Sequence, residues 1–132
     1  MNVPDDLQYT QSHEWLRLEG DTATIGITDH AQEELTDIVY VELPKTGALV
    51  TAKQPVAVVE SVKAASDIYS PIGGTIVETN SALENDPALV NRDPYGEGWL
   101  YRMRVEAGEQ IEQLLEPAQY RAQISESGKY EV

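Results

Sequence analysis

Apolar and polar residues alternate along most of this chain, in short runs broken by Gly, Pro, Asp and Asn. Residues 13–18 set Glu14, Leu16 and Leu18 against Trp15 and Arg17, and residues 22–28 place Ala23, Ile25 and Ile27 on one face. A period of two marks a strand, because successive side chains point to opposite sides of it. Residues 56–61, 66–69, 74–78 and 99–105 continue the pattern. Residues 38–43 begin apolar on both faces, which predicts a strand buried on both sides. Many short strands with frequent turn signals predict a sandwich or barrel.

Helical periodicity is confined to two places. Residues 29–35 predict one short helix, with Asp29 as its cap, Gln32 in the capping-box position, and Glu33 and Glu34 in the early turns. Residues 117–125 predict a second: Pro117 suits a first helical turn, and Tyr120 with Ile124 forms an apolar stripe. Leu114 and Leu115 lead into it, and a polar tail follows. Residues 80–95 read as loop, with Pro87, Pro94 and several Asn and Asp. Within Asp93-Pro94-Tyr95-Gly96, Pro94 presets the turn and Gly96 allows an unusual backbone.

A chain of 132 residues, 41% of them hydrophobic, is one domain with enough apolar surface for a core. The charge is far from balanced: 23 Asp and Glu against 9 Lys and Arg give −14 at pH 7. Such a surface repels phosphate backbones and anionic lipid, and it suits partners with basic docking surfaces. Cys is absent, which excludes disulfides, thiolate metal sites and any thiol nucleophile of the chain's own. No apolar run approaches membrane-spanning length, and residues 1–6 resemble neither a signal nor a transit peptide. Neither nucleic acid nor membrane is an expected partner, and a cytoplasmic, monomeric protein is expected.

Common enzyme motifs are missing. There is no phosphate loop, dinucleotide Gly fingerprint or paired-His zinc helix, and no metal site is expected. His13-Glu14 invites a metal or acid–base reading, against the plainer one of a strand residue beside an exposed carboxylate. His30 reads as a surface residue of the first helical turn. Trp99 and Tyr101 read as core, and Arg92, Arg102 and Arg104 as structural or rim residues. One run is unusual: Val58-Val59-Glu60-Ser61-Val62-Lys63-Ala64-Ala65-Ser66-Asp67-Ile68-Tyr69 reads as two strands joined around 62–65, with Lys63 at the tip. Small Ala64 and Ala65 leave that amine open to a large enzyme, which suits acylation. From these residues alone, a solubilising lysine on a turn remains the plainer reading.

The whole pattern resembles the glycine cleavage H-protein family of lipoyl carriers. The resemblance runs through His13-Glu14-Trp15, Gly26-Ile27-Thr28-Asp29, Ala31, Leu35, Asp37-Ile38-Val39, Leu43-Pro44 and Gly47. It continues through the Lys63 hairpin, Ser70-Pro71, Gly74, Asn80, Pro87, Leu89, Asn91 and residues 93–99. Gly73-Gly74 departs from the commoner wording without touching Lys63. Val62-Lys63-Ala64 after Glu60-Ser61 separates this branch from the usual Asp-Lys-Ala of other lipoyl domains and the Met-Lys-Met of biotin carriers.

The resemblance implies a mainly β fold: a flattened β-sandwich of the barrel-sandwich hybrid type, with a few short helices including one near the C-terminus. It implies that residues 1–132 form a single lipoyl-binding domain and that Lys63 carries lipoate covalently. It implies a non-catalytic carrier subunit. The lipoyl arm accepts an aminomethyl group from a pyridoxal-phosphate glycine decarboxylase and presents it to a tetrahydrofolate-dependent aminomethyltransferase. Dihydrolipoamide dehydrogenase re-oxidises the arm, and lipoylating enzymes are further partners. In the family the loaded arm lies in a surface cleft, and Glu14 is the candidate for holding its cationic amine. Two other readings keep the same residues: a relay carrier donating lipoyl groups to other complexes, or an acidic binding module with Lys63 unmodified.

Overall fold

The computed structural model describes residues 1–106 and 114–126. Among the described residues nine strands form two antiparallel sheets. The larger has the order β1 (Gln8–Tyr9), β2 (Glu14–Glu19), β3 (Thr22–Ile27), β9 (Tyr101–Val105), β8 (Gly74–Thr79), β5 (Leu49–Val50); the smaller runs β4 (Ile38–Glu42), β6 (Pro55–Ser61), β7 (Ala65–Tyr69). The helices are α1 (Asp29–Leu35), α2 (Ala82–Asn85), α3 (Leu89–Arg92) and α4 (Pro117–Glu126).

Alternation explains the layering. Leu16, Ala23, Ile25, Ile27, Ile76 and Met103 of the large sheet meet Val41, Ala57, Val59 and Ile68 of the small one in a common core. β2 also buries its other side. Trp15 joins Val3, Leu7, Tyr9, Tyr120 and Ile124 in a second cluster beneath α4, and its indole N–H donates to the Pro94 carbonyl at 3.0 Å. Gly26 makes room for that ring, since a Cβ there would sit 2.7 Å from it. The sandwich and the C-terminal helix agree with the sequence reading; residues 127–132 of the polar tail lie outside the described residues.

Several local expectations are corrected. Thr28, not Asp29, caps α1, its hydroxyl accepting from the Ala31 N–H. Asp29 instead accepts from the Gln32 amide and the Asn2 N–H. β4 is not buried on both faces: Ile38 and Val41 point inward, while Val39 and Tyr40 are exposed. Residues 80–95 hold two one-turn helices, anchored by buried Leu83 and Val90. Gly96 needs no unusual φ; a Cβ there would sit 2.4 Å from the Asp93 carboxylate that ties the turn together. Tyr101 is core, whereas Trp99 is half-buried with the Arg102 guanidinium 4.0 Å above its ring.

Candidate functional site

β6 and β7 pair from Pro55↔Tyr69 to Glu60↔Ala65, which leaves 61–64 to make the reversal. Ser61 builds the turn. Its backbone N–H donates to the Ala64 carbonyl, and its hydroxyl accepts from the Lys63 and Ala64 N–H groups at 3.1 and 3.0 Å. Ser and Thr hydroxyls commonly stand in for a backbone turn contact in this way. Val62, Lys63 and Ala64 are exposed, so Lys63 stands at the tip, as the sequence predicts. The tip is not loose. Val62 N–H donates to the Asp37 carbonyl at 3.0 Å, and Lys63 Nζ donates to the Glu34 carbonyl at 2.8 Å, in the last turn of α1. Helix C-terminal carbonyls lack intrahelical partners and attract cations.

Glu14 is placed quite differently from an exposed strand carboxylate: it is 1% exposed. Its Oε1 accepts from the Thr10 and Ser12 hydroxyls at 2.5 and 2.6 Å, and Oε2 from the Tyr69 N–H at 3.2 Å. All three donors are neutral. Burial raises its pKa, and these hydrogen bonds pull the other way. The carboxylate lines a cleft of about 890 Å³ together with Thr10, Ser12, Lys53, Tyr69 and Ser70. Sequence reading found Glu14 but not Thr10 or Ser12. The Thr-x-Ser-x-Glu spacing was the available signal, and it becomes meaningful only once the chain folds back at residues 10–14.

His30 is buried, not a surface residue; its ring lies 4.6 Å from that of His13. His13 Nδ1 is 2.7 Å from the Tyr120 hydroxyl, which is 2.7 Å from the Thr28 hydroxyl that caps α1. This chain of contacts ties α4 to the start of α1. Among the described residues no three His, Asp or Glu are grouped to hold a metal, and no helix is long and apolar enough to cross a membrane.

A sandwich with an exposed lysine at the tip of a fixed hairpin has the form of a carrier domain. A family model described as the glycine cleavage H-protein matches residues 7–127. A glycine cleavage system H protein of Psychrobacter sp. (strain PRwf-1) is 58% identical over 93% of this chain and 98% of its own. One of Alkalilimnicola ehrlichii is 56% identical over 94% and 96%. The crystal structure of a glycine cleavage system H protein from Mycobacterium marinum superposes with a TM-score of 0.82 at 40% identity, covering 96% of this chain and 99% of that one. This chain belongs to the glycine cleavage H-protein family, whose members are lipoyl-bearing carrier subunits rather than catalysts.

Proposed function

We propose that Lys63 is the attachment point of lipoate, in amide linkage, and that the 132 residues work as one monomeric carrier domain in the cytoplasm. The observation that carries this reading is the Lys63 tip itself: an exposed amine on a turn fixed by Ser61, flanked by Ala64 and Ala65. A lipoyl group there supplies the disulfide–dithiol chemistry that a chain without Cys lacks. The proposed partners are glycine decarboxylase, the tetrahydrofolate-dependent aminomethyltransferase, dihydrolipoamide dehydrogenase and lipoylating enzymes.

In the same reading Glu14 receives the cationic amine of the cargo. The span from Ala65 to Tyr69 is about 13 Å of strand. An extended acylated lysine covers roughly 14 Å at bond lengths near 1.5 Å, so an arm rooted at Lys63 reaches the Glu14 end of the cleft. Thr10, Ser12 and the Tyr69 N–H hold the carboxylate in one orientation. An arriving ammonium supplies the charge that these neutral donors lack and favours the ionised form.

Reconstitution with glycine decarboxylase tests the reading. Lipoylated parent protein is expected to support glycine-dependent CO₂ release, and Lys63→Arg to support none. Full activity of Lys63→Arg would overturn it.

A further inference from the structure

The two carbonyls that hold the hairpin tip, those of Glu34 and Asp37, bracket the two residues Leu35 and Thr36. Thr36 lies at φ 66°, ψ −149°. This region is close to Gly-only, and a β-branched residue persists there only when its surroundings hold it. Asn91, on α3, donates from its amide to the Thr36 carbonyl at 2.9 Å and to Gln32 Oε1 at 3.0 Å. Its Oδ1 accepts from the Ile38 N–H at 2.9 Å. One side chain therefore bridges the last turn of α1, the strained residue and the first residue of β4. Val90, buried beside Asn91, anchors α3 to the core.

We propose that Asn91 is a positioning residue for the carrier tip: it clamps the strained turn at Thr36 and so fixes the Glu34 and Asp37 carbonyls that seat Lys63 and Val62. This deepens the carrier reading and rests on it. Acylation converts the lysine ammonium to an amide that keeps one N–H, so the Glu34 carbonyl still has a donor at the root of the arm. The bracket thus sets where the arm leaves the protein.

Hydrogen exchange at the Val62 amide tests the proposal. In Asn91→Ala this amide is expected to exchange about tenfold faster, while the core amides of β3 and β9 keep their rates. Adding Thr36→Gly, which adopts the turn without strain, is expected to return Val62 to within about threefold of the parent. Unchanged Val62 exchange, a rise only in step with β3 and β9, or no rescue by Thr36→Gly would overturn the proposal. If Asn91→Ala does not fold, Asn91→Asp is read in the same way, since it keeps the acceptor for Ile38 and loses the donor to Thr36. Both unmodified and lipoylated protein are measured. A missing lipoyl adduct at Lys63 counts against the carrier reading, whereas Val62 exchange in the unmodified chain judges the clamp alone.

Discussion

Glu14 is an ionisable group in the interior whose hydrogen-bond donors are all neutral. Glu14→Gln keeps its shape and removes its charge. A charge-assisted hydrogen bond contributes about 1.5–3 kcal/mol, so the loaded carrier is expected to decay in solution at least about tenfold faster in this variant. Unchanged decay would remove Glu14 from that role. His13 makes a second residue-level prediction. Burial, and then the neighbouring His30, hold its pKa down at about 4 from an ordinary 6.5, with Glu34 working the other way. Between those values the unfolded chain binds the proton and the folded chain does not. Stability is therefore intact above about pH 6.5 and is lost as pH falls toward 4. Glu14, whose pKa is raised by burial, contributes with the opposite sign. His13→Asn removes the titration and tolerates the φ of 74° found here. Its urea midpoint should fall less than the parent's over this range, and an equal fall would contradict the assignment. Lys63 was legible at this scale because its turn is local. The burial of Glu14 and His30 was not, because residues distant in sequence, Tyr69 and His13, supply it.

Gly74 shows how one residue controls an element. A Cβ there would lie 2.1 Å from the backbone carbonyl of Arg104 in the neighbouring strand. That atom cannot swing away as a side chain can, so β8 and β9 must separate to admit it. Gly74→Ala is expected to cost about 2–3 kcal/mol in urea unfolding, and a loss under about 0.5 kcal/mol would contradict this. Strands with a clear period of two, such as β2, β3 and β8, could be read from sequence to within a residue or so. β1 and β5 have two residues each, too few to show a period. α2 and α3 are single turns, set by the burial of Leu83 and Val90 rather than by any helical repeat. β4 misled because Val39 and Tyr40 are apolar yet face solvent, with a register shift between Ile38 and Tyr40.

The strands of the small sheet carry carboxylates alone, whereas those of the large sheet carry both signs. Register places Tyr40, Glu60 and Ala65 in one row of the small sheet and Glu42, Val58 and Asp67 two rows along, on the same face. No Lys or Arg occurs in its three strands. On the large sheet Arg17, Thr24 and Arg102 share a row, and Thr22 pairs with Arg104. The sheet that carries the Lys63 tip is thus the acidic one, which favours approach of that end to a basic enzyme surface. Raising the salt from low to high concentration is expected to slow transfer roughly tenfold through the association rate. Salt-insensitive transfer would contradict such steering.

The most direct test of the carrier reading is intact and peptide mass spectrometry after co-expression with a lipoylating enzyme and lipoate. A single lipoyl adduct on Lys63 is the predicted result. No adduct, or one on Lys45, Lys53 or Lys129 instead, would contradict it and leave the fold without the function proposed for it.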